Sequence, residues 1–302
     1  GWMGSAHRLG VLGGFAENGG EYPPLAHGLL AVAAAAGSAV GIGVPLAIKL
    51  SLAIVLGVTI GVFGAWTRRA GLALGLWAAL LLNSVALGYL DIYTAPCLLL
   101  SLRALDRGRL TAAFTWFAAA CLVKWQPGIA APFLLFHALK VSGGMTRDSV
   151  KQVARRLAPA AALVASIAIA FGVVPFAWAF AKSLGHRSLS AEALNVGWLL
   201  TWAMQGVSRG TEGLLDRVVY VASAPIWLRL VLKALFAGQF VWLLTRYARG
   251  PAAPERTTAY EMLGFLAYVM FNSGVHENHW FVPSLLAVAL GVDGHGRGLD
   301  GD

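Results

Sequence analysis

Five short polar motifs interrupt an otherwise apolar chain. They are Glu21-Tyr22-Pro23-Pro24, Gly88-Tyr89-Leu90-Asp91, Lys124-Trp125-Gln126-Pro127, Asn195-Val196-Gly197-Trp198 and Val275-His276-Glu277-Asn278-His279. Each carries a group able to act on a charged or hydroxylated ligand. Glu21 and Asp91 are carboxylates that could take a proton from a hydroxyl. Lys124 stands at a break in an apolar stretch, where an ammonium suits a phosphate or pyrophosphate. His276 beside Glu277 could hold a phosphate, position a sugar or shuttle a proton. Tyr22, Gln126 and Asn195 add hydrogen-bonding groups next to these charges.

Each motif also has a plainer reading. Two prolines after Glu21 forbid backward continuation of a helix, so Glu21 is either pinned at a surface or simply exposed in a turn. Asp91 precedes an apolar block and could cap it. Lys124 could snorkel to lipid headgroups. His276 and His279 lie three residues apart, without the spacing of a zinc-protease helix or an evident third ligand, so no metal site is read here. His186, Arg187 and Trp198 could line the same cavity as Asn195, whereas Trp198, Trp202 and Trp227 also suit an interfacial belt.

The elements that must position these motifs are helices in a membrane. Of 302 residues, 58% are hydrophobic and 12% charged, against about 25% charged in soluble domains. Mean hydropathy is +0.69. These values exclude an ordinary soluble domain and a disordered chain. Apolar blocks lie at 25–44, 46–66, 70–88, 91–105, 110–123, 127–140, 157–178, 228–246, 260–274 and 279–292. They run continuously apolar rather than alternating, which argues for helices and against a β-barrel. The expected fold is all-α: a single polytopic bundle over 1–302 with about eight to ten membrane segments. Residues 1–24 read as an outer-loop remnant and 179–227 as an outer-face segment, with an amphipathic stretch at 194–206.

Basic residues cluster in alternate loops: Arg68 and Arg69; Arg103, Arg107 and Arg109; Lys140, Arg147, Lys151, Arg155 and Arg156; then Arg246, Arg249 and Arg256. The positive-inside rule places these loops in the cytoplasm and the five motifs on the opposite face. Parity then requires that block 25–44 be re-entrant or surface-lying, or else that a later short block not cross. The net charge of +9 reflects these loops. No basic run with interleaved aromatics is present, so nucleic acid is not an expected partner. Cys97 and Cys121 sit inside apolar blocks and read as small buried hydrophobes. Phosphate-binding loops, nucleophile elbows and Cys-x-x-Cys pairs are absent from the sequence.

The ordered set Glu-Tyr-Pro-Pro-Leu (21–25), Gly-Tyr-Leu-Asp (88–91), Lys-Trp-Gln-Pro (124–127), Asn-Val-Gly-Trp (195–198) and Val-His-Glu-Asn (275–278) resembles the GT-C integral-membrane glycosyltransferases. The likeness is to polyprenyl- or dolichyl-phosphate-glucose- or mannose-dependent hexosyltransferases and covers about residues 20–290. It implies transfer of glucose or mannose from a polyprenyl-phosphate donor to a glycolipid or glycan acceptor, at the periplasmic, outer or lumenal face of a multi-pass protein surrounded by membrane lipid. It implies Glu21 and Asp91 as catalytic residues. Lys124, His276, Glu277, Tyr22, Gln126 and Asn195 would hold donor phosphate and sugar. Relatives of this kind work without metal or with a divalent cation. Their principal catalytic Asp follows a first transmembrane helix. Neither has a counterpart here, and Glu17 is a poor substitute, so the chain is expected to be a piece of a longer protein that lacks this helix.

Overall fold

A computed structural model describes residues 2–18, 22–185, 188–191, 193–209 and 224–296. The described chain is overwhelmingly α-helical. In order the helices are α1 (Trp2–Asn18), α2 (Pro24–Ala39), α3 (Val44–Thr67), α4 (Ala70–Leu81), α5 (Ala95–Asp106), α6 (Leu110–Val123), α7 (Ala131–Val141), α8 (Arg147–Phe171), α9 (Val173–Leu184), α10 (Val196–Arg209), α11 (Ile226–Arg249), α12 (Pro254–Phe271) and α13 (Phe281–Gly296). The two-residue segments β1 (Ser190–Ala191) and β2 (Val275–His276) pair in parallel. A single bundle is expected from sequence; the structure divides into two compact units, Gly1–Gly128 with Ala138–Leu184 and Val292–Asp302, and Ile129–His137 with Gly185–Gly291.

Three helices, α3, α8 and α11, are long and apolar enough to cross a membrane. In α8 and α11 only 11% and 17% of the apolar window is buried within the protein, so their apolar side chains face outward. Ile169, Leu230 and Val241 are among the exposed ones, as are Ile54 and Val58 of α3. Several other apolar blocks become shorter helices. α5, α6 and α7 have 12, 14 and 11 residues; at ~1.5 Å per residue none reaches the ~30 Å of a hydrocarbon core. They are cut short by the polar motifs, and α5 and α6 are largely interior, with Leu98, Leu99, Leu102, Ala113, Phe114 and Ala120 buried. Residues 2–18, expected as loop, form α1, which is broken at Gly10.

In the first unit consecutive helices run in alternating directions. The start of α3 is tied to the segment that precedes α5: Lys49 Nζ donates to the Ala86 carbonyl at 3.2 Å, and the hydroxyls of Ser51 and Tyr93 are hydrogen-bonded. α3 then leads away to Arg68, α4 returns, and α5 leads away again to Arg107. α6 comes back to Lys124. α8 shares a groove with the start of α6 through Arg156 and ends at Phe171. Arg68, Arg107, Arg109 and Arg156 therefore lie toward the end opposite Asp91 and Lys124. α2 lies across the Asp91 end: Gly28 approaches Phe171 at its start, and Gly37 packs on Ala47 at its finish.

The second unit centres on α11 and α12, with residues 131–137 of α7 against them. Phe133, Tyr247, Tyr260 and Phe240 pack edge-to-face or tilted at 5.3 to 6.2 Å. Arg256, expected in a basic loop, instead closes the end of α11: its guanidinium donates to the carbonyls of Tyr247 and Arg246 at 2.8 Å and lies over the Tyr247 and Tyr260 rings. Gly197 permits the closest backbone approach in this unit, since a Cβ there would stand 2.6 Å from the Leu189 carbonyl oxygen. Gly197→Ala is expected to cost about 1–3 kcal/mol by overpacking. Gly57→Ala, in open space on α3, should leave stability unchanged or slightly raised. Unfolding midpoints of the two variants in detergent check the contrast.

Candidate functional site

Asp91 and Lys124 meet. Asp91 lies in the short 3-10 turn Leu90–Thr94, which follows Gly88 at φ 79°. A left-handed residue is needed there to turn the chain from the helical segment before it into the 3-10 turn, and glycine adopts that geometry without steric cost. Lys124 caps the C-terminus of α6 in an extended conformation, which Gln126-Pro127 then holds away from helix. These two breaks aim the side chains at each other, and Lys124 Nζ donates to Asp91 Oδ1. Asp91 is 1% exposed and Lys124 8%. Lys124 thus does not snorkel. Asp91 does not cap the following helix, whose start at Thr94 has no side-chain capping bond.

The carboxylate of the pair and the segments next to it in the chain carry polar oxygens with no hydrogen-bond partner in the protein. Asp91 Oδ2, Thr94 Oγ1, Gln126 Oε1, Asn83 Oδ1 and Ser84 Oγ are all buried and unpaired. Asn83 and Ser84 sit in a π-helical turn, Leu82–Ala86, at the end of α4. Such turns are uncommon and cluster at functional sites. A buried polar atom left unpaired costs roughly 1–3 kcal/mol, so five in neighbouring segments point to a place built for a polar ligand rather than to poor packing. The wall beside Lys124 is aromatic: the Trp125 ring packs edge-on against Phe176 and Phe180 of α9 at 5.3 and 5.2 Å. An anchored ammonium, an adjacent carboxylate oxygen and an aromatic wall together can take up a phosphate-bearing apolar molecule and accept a proton beside it.

Glu21 lies outside the described residues, as do His186 and Arg187. Tyr22 is described and half-buried, just before Pro23 and Pro24 start α2. The remaining candidates belong to the second unit, where two of the motifs meet. Parallel pairing of β1 with β2 brings Val275-His276 beside Ser190-Ala191. Asn195 then donates from Nδ2 to the Val269 carbonyl at 2.9 Å and accepts from the Trp198 N–H at 2.8 Å. Both ends of its amide are committed to capping α10 and clamping it to α12, so Asn195 acts structurally. His276 and His279 form a reciprocal cap on the turn Glu277–Trp280, their rings 5.5 Å apart, and His279 also leans on Tyr268. Glu277 is half-buried. Buried Ser273 Oγ and Asn278 Oδ1 have no partner. Among the described residues no group of three His, Cys, Asp or Glu could hold a metal ion. Cys97 and Cys121 are free and partly buried.

Sequence reasoning did not single out His27, Lys49, Tyr93, His137 or Glu261. His27 is 5% exposed on α2, its ring edge-on to Phe15. Glu261 is 3% exposed on α12, one turn beyond Thr257, whose hydroxyl joins the Tyr247 hydroxyl and His137 Nδ1 at 2.8 Å each. A lone ionisable residue inside an apolar block was the available signal for Glu261 and His137. No family model, no curated protein and no solved structure matches this chain.

Lys124→Met would leave the Asp91 carboxylate buried and unpaired, and is expected to destabilise the first unit by about 3–5 kcal/mol. Asp91→Asn combined with Lys124→Met should recover most of that loss. A double-mutant cycle on detergent-solubilised protein, followed by thermal unfolding, reads the coupling directly.

Proposed function

We propose that this chain is a multi-pass membrane glycosyltransferase that moves a hexose from a polyprenyl-phosphate donor to a glycolipid or glycan acceptor at the periplasmic or outer face. The observation that carries the reading is the buried Asp91–Lys124 pair, with unpartnered buried oxygens on Asp91 itself and in the segments next to it in the chain. The motif resemblance to GT-C enzymes supports it. So does the gathering of the arginines at the far end of the same unit, which the positive-inside rule makes cytoplasmic.

In this reaction the acceptor hydroxyl attacks the anomeric carbon. Its proton passes to a carboxylate, and the bond from the anomeric carbon to the phosphate oxygen breaks with its electron pair on that oxygen. Asp91 is the described carboxylate placed for the proton, with Glu21 the second candidate. Lys124 offsets the charge that grows on the departing phosphate, the kind of preorganised stabilisation worth most in a water-poor site. Gln126, Asn83 and Ser84 offer hydrogen-bonding groups to sugar hydroxyls.

A transport reading draws on a different observation, the buried Glu261 beside the Thr257–His137–Tyr247 hydrogen bonds, because ionisable groups inside a bundle often mark ion or proton routes. The two readings separate cleanly. Under the transferase reading, Asp91→Asn lowers hexose transfer by roughly 10²-fold or more, the usual range for a lost general base, while Glu261→Gln leaves it intact. The measurement is incorporation from radiolabelled polyprenyl-phosphate glucose and mannose, supplied separately to folded protein in the context of its full-length chain. Full transfer by Asp91→Asn, Glu21→Gln and His276→Ala alike would remove the assignment.

A further inference from the structure

The opposite end of the first unit carries a feature that hexose transfer does not use. A shallow groove of about 580 Å³ opens where the first turn of α6 meets α8, walled by Gly108, Arg109, Thr111, Thr115, Trp116 and Arg156 among others. The two guanidinium groups come from different helices, and no carboxylate is among its lining residues. Arg156 is steadied by a 3.3 Å hydrogen bond from Nη1 to Ser142 Oγ. Trp116 is 40% exposed, so an indole forms an open wall beside the two cations. Arg109 provides no side-chain cap to α6, so the helix start adds to the positive character of the groove.

This combination suits one class of occupant. Paired guanidiniums match the oxygens of a phosphate and bind it through parallel N–H donors. The groove is several times larger than inorganic phosphate, and its apolar and indole surface would be left uncovered by a bare anion. Indole side chains favour the headgroup level of a bilayer. The groove also lies at the end where the arginines gather, the leaflet in which anionic lipids concentrate in a positive-inside protein. We infer that Arg109 and Arg156 hold the phosphate of an anionic glycerophospholipid in this groove, with Trp116 packed along the glycerol and first acyl carbons. The inference does not rest on the transferase reading, because it involves the other end of the unit and no reacting group.

Native mass spectrometry of the purified full chain in detergent tests it, with phosphatidylglycerol, phosphatidylcholine and inorganic phosphate as separate probes. Phosphatidylglycerol is expected to stay bound where phosphatidylcholine is lost. Arg109→Gln with Arg156→Gln should weaken it roughly thirtyfold, the effect of removing two basic groups near an anionic surface. Arg68→Gln with Arg69→Gln, at the same end but outside the groove, should change it by less than about twofold, because neither side chain lines the groove and exposed charges contribute little. An equal loss in both double variants, or displacement of the lipid by inorganic phosphate at equal concentration, overturns the proposal. Should the glutamine pair fail to fold, photoactivatable phosphatidylglycerol on the wild-type protein decides: cross-links at residues 108–116 support the site, and cross-links confined elsewhere refute it.

Discussion

The buried ion pair between Asp91 and Lys124 is the constraint on which the first unit turns. Two opposite charges taken out of water are costly apart and tolerable only together, so the segments that bear them cannot drift. Asp91 enters from a 3-10 turn behind a left-handed glycine, and Lys124 from the frayed end of α6. Neither group could reach the other from a continuous helix. The short lengths of α5 and α6 follow from this requirement, and so do the anchoring contacts of Lys49, Ser51 and Tyr93 around the same turn. The pair satisfies one oxygen of the carboxylate and leaves the other open. That imbalance separates a structural salt bridge from a site that can accept a ligand.

The second unit handles its polar motifs differently. Asn195 spends both ends of its amide on backbone groups, and His276 and His279 cap one another's turn. Gly197 lets the start of α10 press against the Leu189 carbonyl. The polar residues of these motifs hold backbone segments in place, while buried Ser273 Oγ and Asn278 Oδ1 have no hydrogen-bond partner. The same residue types that read as ligand contacts in a linear motif thus serve as clamps where the backbone needs partners, since a buried carbonyl or amide is as demanding as a buried side chain.

Outside these regions the surface is that of a protein that meets hydrocarbon. The long helices α3, α8 and α11 bury little of their apolar length in the protein, while tryptophans such as Trp116, Trp202 and Trp227 remain exposed. Arg109 and Arg156 lie opposite the Asp91 pair, so that unit is polar at two ends for different chemical reasons: a paired, desolvated charge at one, and two guanidiniums beside an indole at the other.

Composition and the period of the apolar blocks were enough to determine that the chain is helical and carries membrane-length segments. The low charge and the absence of strand alternation leave no other way to satisfy the backbone in an apolar setting. Block lengths did not reveal which blocks would make long helices. The breaks at Gly88, Lys124 and Gly172 come from φ choices and side-chain partners that hydropathy does not encode. Tertiary structure alone decided that Asp91 pairs with Lys124 rather than capping a helix, that Asn195 clamps backbone instead of facing a ligand, and that Glu261 and His137 are buried. The physical reason is common to all three: a polar side chain has several partners of similar energy within its own segment, and only packing against a segment distant in sequence selects among them.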